Sequence, residues 1–559
     1  MLPAMRTATL AAALALASAV PAQPPAPKGP PVDTSFLKQF AETRGFLLGR
    51  PVKPKVTPDG KHVLFLRADP ATKRQSLFEF ELATGKTREV LSAATILKGG
   101  DENLTPEEKA RRERQRVTAG GFADFHLNPE GTHVLVSLAN ALYVFDREAG
   151  GVRALKRGGD GAIVDPKWSP DGKLIAYVRG FDVMAYDLAA DAELAVTTGG
   201  TVVKTHGLAE FVAQEEMGRH SGFWWSPDSE RIAYTEADHA GVEQWWVADP
   251  LKPDVPPAPQ YYPRPGKKNV TVRLGVKPVR GGATVWVEWD RAKYEYLAAV
   301  QWDTRNGRVE ELNIVVQDRL QQQLALCRVN RATGKTRQLV EEKDAAWVNI
   351  PVAVPVWAGG HFAWTGTGPN GLEIQKRDAK TGKLVDVAAK ADRAPLGIAA
   401  NSPVFPLEGT AEGKHLLIYT APDPTQQHVR IEYFGEITDI SPLAEKWSRR
   451  TTEPGFHTAS IGGFGHHTIT TTTLKHMPRT KVYEVGREYS GELPSVAAEP
   501  PFAPNVKVEK VGEYWTAVVR PRDFDAAKKD GKKDDAKKDG KGGKVRVAAD
   551  ADADLLDED

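Results

Sequence analysis

The sequence predicts an all-β fold, a β-propeller, from three observations: a Pro-Asp-Gly type of turn recurs, each copy launches a strand of alternating pattern, and helix signals are scarce. The turn copies are VTPDGKHVLFLRA from Val56, LNPEGTHVLVSLA from Leu127, WSPDGKLIAYVRG from Trp168 and WSPDSERIAYTEA from Trp225. Pro fixes the first corner of a β-turn, Asp or Glu accepts local backbone hydrogen bonds, and Gly takes the positive φ that lets the next strand start. Each turn leads into a run such as Leu174, Ala176 and Val178, the period of two of a half-buried strand. A second strand follows, often closed by a short charged hairpin, as in ALYVFDREAG, FDVMAYDLAA, LALCRVNRATGKTRQLV and IQKRDAKTGKLVDV. Recurrence of such a unit at roughly forty residues, with insertions between copies, marks propeller blades rather than a helical solenoid. From about Glu310 the turn degrades, yet strand pairs continue through QLALCRVN, HFAWTGTG, HLLIYTAP and KVYEVGRE. Counting strand clusters gives seven or eight blades.

From the N-terminus, Met1 to Arg6 are weakly basic, and Ala8 to Val20 form an apolar run too short to span a bilayer as a mature helix. Residues 1–22 read as a signal peptide with cleavage after Ala22, and 23–35 as a Pro-rich linker. No second long apolar run follows, so no membrane span is expected, and the mature protein is expected in the periplasm or outside the cell. The propeller is assigned to 36–500. Within it, Thr105 to Val117 predict a helix: Thr105 caps, Pro106 occupies the first turn, and acidic residues precede basic ones. Being polar all round, it is expected on the surface or projecting into a cavity. The single cysteine, Cys327, lies in an alternating stretch and reads as a buried structural thiol; no intramolecular disulfide is possible. His466 and His467 are adjacent on a strand and point to opposite faces, against a joint metal site. Beyond Asp525, a Lys/Asp/Gly tract and an acidic end have no apolar face, and 526–559 read as a disordered tail. Its Asp550, Asp552 and Asp554 lack the Gly and Glu of a calcium loop. With 74 Lys+Arg against 73 Asp+Glu, global charge gives no reason to expect nucleic acid or an anionic membrane as partner. No cofactor or metal is called for.

The most informative stretch is GLAEFVAQEEMGRHSGFWWSPDSERIAYTEAD, Gly207 to Asp238, where an acidic pair stands at fixed distance from a Trp-Trp-x-Pro turn. It resembles the segment of dipeptidyl peptidase IV-type serine peptidases, of the prolyl oligopeptidase superfamily, that carries paired glutamates. The likeness is nearest to the bacterial enzymes and to dipeptidyl peptidases 8 and 9. Weaker resemblance runs from about Asp33 to Asp525 and includes KARRERQRV, NVTVRLGV, PGFHTAS and WTAVVRPRDFD. The resemblance implies an eight-bladed propeller stacked on an α/β-hydrolase domain, in proteins that release Xaa-Pro or Xaa-Ala dipeptides. It implies that Glu215 and Glu216 bind the free α-amino group of a peptide. An α-ammonium offers one charge and three donors, which two neighbouring carboxylates match. It also implies that an arginine of KARRERQRV contacts the first carbonyl of the substrate, with Arg112, Arg114 and Arg116 as candidates; which one faces inward stays open.

Such a peptidase needs a Gly-x-Ser-x-Gly nucleophile elbow followed by Asp and His, and no such pentapeptide occurs here. No catalytic residue is therefore assigned. Residues 501–525 resemble the run-up to the hydrolase domain, and the Lys/Asp tract arrives where that domain is expected. The expectation is a substrate-gating, amine-binding propeller, inactive alone, whose hydrolase half is truncated away or encoded separately. The alternative is a stand-alone propeller that binds peptides with a free N-terminus, or other proteins, without cutting them.

Overall fold

The structure, a computed structural model, describes residues 34–100, 102–156, 158–251, 253–303, 311–350, 355–358, 360–368, 371–387, 415–420, 425–433, 451–484, 489–521 and 524. The segments read as signal peptide and tail lie outside the described residues, apart from the end of the linker. Strands pair in sequence order into antiparallel sheets, the meander of a propeller blade. Seven sheets of four or five strands are described, over residues 52–91 (with the short parallel strand Gly120–Gly121 added), 126–154, 163–195, 204–286, 296–343, 356–387 and 456–492, numbered here as blades 1 to 7. The implied count of eight is corrected. Between blades 6 and 7, His415–Thr420 and His428–Tyr433 pair only with each other, a two-stranded ribbon without the further strands of a blade among the described residues.

Each predicted turn joins the first and second strands of a blade. In blades 1 to 4 the N–H of Gly60, Gly131, Gly172 and Ser229 donates to the carbonyl of Thr57, Asn128, Ser169 and Ser226 at 2.9 Å. All four donors have φ between 59° and 74°. The turns also interlock between blades. A Cβ on Gly131 would lie 2.6 Å from Pro58 Cδ of blade 1, and one on Gly463 of blade 7 would overlap the carbonyl of Pro58. Ser229, which replaces Gly in blade 4, uses its hydroxyl to accept the Asp171 N–H of blade 3 at 3.0 Å.

The core is a series of layers between blades. Leu174, Ala176 and Val178 pack toward blade 4 with Phe223, Trp225, Ile232 and Tyr234. Their neighbours Ile175 and Tyr177 pack the other way, with Leu135, Leu142 and Val144 of blade 2. The strand read as half-buried is therefore buried on both faces, because a second strand is sandwiched between two neighbouring blades. Cys327 is buried in the layer between blades 4 and 5, and burial pushes its thiol up to about 11. Inner strands are tied as well: Trp168 Nε1 donates to His126 O at 3.0 Å, and Trp302 Nε1 to Trp224 O at 3.3 Å.

The meander sorts the loops. Turns between strands 1 and 2, or 3 and 4, lie on one face; turns between strands 2 and 3, the blade-to-blade connections and both ends of the propeller lie on the other. Four α-helices are described: α1, Ser35–Glu42; α2, Ala93–Leu97; α3, Pro106–Arg114; and α4, Phe211–Glu216. α1 precedes blade 1, and α2 and α3 fill the connection between blades 1 and 2, so these three lie on the connection face. The hairpin Asn505–Val511 and Tyr514–Arg520 follows blade 7 from the same face, with Val511, Tyr514 and Val519 exposed. No described helix is long and apolar enough to cross a membrane.

Candidate functional site

The inner strand of blade 4 is broken in two. Lys204–His206 and Phe223–Trp225 both pair with Arg231–Asp238, opposite Asp238–Glu236 and Tyr234–Ile232 respectively. The residues between, 207–222, leave the sheet as an excursion that carries α4. Its two feet meet at glycines: Gly207 has φ 73°, and a Cβ on Gly222 would overlap the Gly207 backbone. Thr235 stitches both feet, its hydroxyl donating to the carbonyls of Leu208 and Gly222 at 3.0 and 3.2 Å.

Above the feet, Glu210 precedes α4 and Arg219 follows it. Both side chains are 5% exposed, and Arg219 Nη2 donates to the two Glu210 oxygens at 2.8 and 2.7 Å. The same guanidinium donates to Leu297 O of blade 5 and Ser221 O, each at 3.1 Å. On the other flank, Lys167 of blade 3 donates to Ser221 Oγ and Phe223 O and pairs with Asp165 at 2.9 Å. Burial lowers the Lys167 pKa, and Asp165 opposes that shift.

α4 therefore stands on an anchored base with its last turn outward. Glu215 and Glu216 occupy that turn, at the helix end where the backbone dipole is negative. Glu215 Oε1 lies 3.2 Å from Arg114 Nε. Glu216 is exposed and makes no hydrogen bond or ion pair with a described residue. Arg114 also donates to Gln214 Oε1 at 3.3 Å, while Gln214 Nε2 donates to Ala209 O at 2.6 Å. The Arg114 guanidinium sits 5.6 Å over the Phe211 ring.

Of the three candidate arginines, only Arg114 joins the glutamates. α3 forms where expected, with Thr105 Oγ1 accepting the Glu108 N–H at 3.2 Å, but it ends three residues before Val117. Arg112 is buried, although the helix is polar all round and was expected on the surface or projecting into a cavity. It donates to Glu102 at 2.7 Å, Glu108 at 2.9 Å and Gly121 O at 3.1 Å, fastening α3 to blade 1. Arg116 is exposed beyond the helix with φ 56°.

Sequence reasoning missed two features here. Glu210 looked like any other acid of the segment, since nothing in its spacing announces Arg219 as its partner. The hairpin Gln244–Val247 and Ala258–Tyr261, inserted between the second and third strands of blade 4, exposes Trp245 and Trp246 and packs Tyr262 edge-on against Phe211, 5.0 Å between centroids. A cavity of about 220 Å³ lies between this hairpin and α4, lined by Arg114, Leu208, Gln214, His239 and Tyr261 among others. A larger one, about 630 Å³, opens on the turn face between blades 2 and 3, lined by Glu130, His133, Asp146 and Arg153 among others.

The inner wall below α3 is charged. Lys53 and Lys55 flank Asp124 at 2.7 and 3.6 Å. Burial works against the Asp124 charge, yet Lys55 and Lys53 outweigh it and hold the carboxyl well below the usual range. Burial, with Lys55 adding to it, lowers His126 to about 4. His467 is buried and opens the strand His467–Thr472, whereas His466 is half-buried and lies before it, at the end of the short 3-10 turn Gly463–Gly465, so the two are not both strand residues. Among the described residues no group of three His, Cys, Asp or Glu is placed to hold a metal ion.

Comparison with known proteins gives a consistent result. In sequence the chain is 27% identical over 211 residues to a probable dipeptidyl peptidase 4 of Neosartorya fischeri, covering 36% of this chain and 27% of that protein. It is 26% identical over 261 residues to dipeptidyl peptidase 8 of Mus musculus, covering 40% and 29%. A probable dipeptidyl peptidase 4 of Aspergillus fumigatus matches at 22% over 365 residues, covering 61% and 45%. The chain thus spans between about a quarter and a half of the length of these relatives. The crystal structure of Porphyromonas gingivalis dipeptidyl peptidase 4 shares the fold, with TM-score 0.64 and 19% identity over 89% of this chain and 68% of that one. The profile of the family described as dipeptidyl peptidase IV (DPP IV) N-terminal region matches residues 128–446, more than half of the 559, and the chain belongs to that family.

Proposed function

We propose that this propeller is the substrate-gating and N-terminal-amine-binding part of a serine dipeptidyl peptidase, with Glu215 and Glu216 as the amine anchor. The observation that carries the reading is the meeting of α3 and α4, where Arg114 lies 3.2 Å from Glu215 while Glu216 is left exposed beside it. A peptide ammonium placed at the last turn of α4 gains two carboxylates and the negative helix end together. Arg114, shared between Glu215 and Gln214, then offers its remaining donors to the first peptide carbonyl. Arg112, with three acceptors already, and Arg116, beyond the helix, are excluded from that role in this proposal. Bond cleavage belongs to a hydrolase domain, whose docking the exposed Tyr514 and Val519 of the terminal hairpin favour.

Calorimetry on the full chain with a short Xaa-Pro peptide tests the amine anchor. The free-amine peptide binds at least about 10-fold more tightly than its acetylated form, since a charge-assisted contact is worth about 1.5–3 kcal/mol. Glu215→Ala with Glu216→Ala abolishes that preference. Equal affinity for the two peptides sinks the reading.

A further inference from the structure

We infer that Glu210 and Arg219 are positioning residues that fix the orientation of α4, a conclusion whose functional half rests on the amine-anchor reading above. A six-residue helix is too short to hold itself in water. α4 also stands on an excursion that has left its sheet, so ladder hydrogen bonds do not set its direction. What closes it is the Glu210–Arg219 pair, one partner before the helix and one after, both 5% exposed. The pair joins residues nine positions apart in the chain, and Arg219 fixes the loop so closed to the inner strand of blade 5 through Leu297 O. Arg suits this place because its planar fork serves three separate acceptors at once: the Glu210 carboxylate, Leu297 O and Ser221 O. A lysine would keep the charge and lose that geometry.

The two kinds of glutamate in the segment thus divide the work. Glu210 is spent on Arg219, whereas Glu216 is exposed and Glu215 is 35% exposed toward Arg114. Released from its closure, α4 would sample other directions, and the two carboxylates would converge on one ammonium for a smaller fraction of the time. Affinity for a free amine then falls, while contacts to the rest of a peptide do not change.

Two measurements on the full chain test the inference, using Glu210→Gln, which is isosteric, and Arg219→Lys, which keeps the charge. The first is amide hydrogen exchange across residues 207–222. Both variants exchange faster there by about 10-fold or more, with blades 1 to 3 unchanged. Wild-type protection of that segment in Glu210→Gln, with an intact far-UV spectrum, overturns the inference whether or not peptides bind. The second is the ratio of affinities for free-amine and acetylated peptide. It drops by about 10-fold in both variants while acetylated-peptide affinity stays put, an effect that mere loss of stability does not produce. A ratio that stays at the wild-type value overturns the positioning role. If the wild type itself shows no amine preference, the functional reading fails, and hydrogen exchange alone decides whether the pair holds α4.

Discussion

His126 sits on the inner strand of blade 2, between the Lys53/Lys55/Asp124 group and the Asp165/Lys167 pair. Its folded pKa is lowered to about 4 from the ordinary 6.5, so the native state stays neutral where the unfolded chain already takes up a proton. The sign follows from that difference. Stability from this residue is complete above about pH 6.5 and is lost as the pH falls toward 4. Because His126 is half-buried rather than fully buried, the loss is on the order of 1–2 kcal/mol. Urea midpoints measured between pH 7.5 and 4.5 should decline less steeply in His126→Gln, and an unchanged slope would exclude His126 as the cause. The sequence does not mark this residue, since its environment is assembled from three blades. Glu215 and Glu216 were legible because the cue is local: two adjacent acids at fixed distance from Trp224 and Trp225. Arg114 could not be told from Arg112 and Arg116, because the choice depends on where α4 of a distant blade arrives.

At the scale of the element, the turns were the best-read feature. Pro, acid and then Gly, or Ser in blade 4, specify their own conformation within four residues, and all four copies adopt it. What the spacing could not give is the interlock, in which Gly131 rests on Pro58 across a blade boundary. Gly131→Ala meets both a φ of 74° and a Cβ position 2.6 Å from Pro58 Cδ. It should cost about 1–3 kcal/mol in urea denaturation, whereas Gly150→Ala, with φ 73° and open space around it, bears the φ cost alone. A Gly131 variant no worse than the Gly150 variant would remove the steric contribution. α3 was legible through its cap and proline for the same local reason. Its buried side was not, because Arg112 is covered by Glu102 and Gly121, outside the helix itself.

At the scale of the whole molecule, each blade among the described residues contains strands from one stretch of chain, so none of them is shared between the two ends of the ring. Blade 7 packs directly on blade 1, where Val482 shares a buried layer with Val63, Phe65 and Phe80, and the segments flanking the ring add to that closure. Val496 N–H donates to Gly49 O at 3.0 Å, Phe36 packs on Phe502 with centroids 5.0 Å apart, and Arg50 bonds Phe46 O, Pro478 O and Glu499. Arg50→Ala should lower stability by about 1–3 kcal/mol, since one charged partner, Glu499, is largely exposed. Lys38→Ala, in an exposed pair on α1, should change it by less than about 0.5 kcal/mol. Equal effects would deny Arg50 a special part in closure. Sequence alone determined the all-β propeller, its repeating turns, the α3 start and the acidic pair. Each of these is written in residues close together along the chain, where backbone sterics and local hydrogen bonds act. The tertiary structure alone decided that the described residues form seven full blades, that the repeat strands are buried on both faces, that Arg114 meets Glu215, and that Glu210 is held by Arg219. Those outcomes depend on which blade faces lie against each other, and contacts between segments far apart in sequence leave no periodic trace in it.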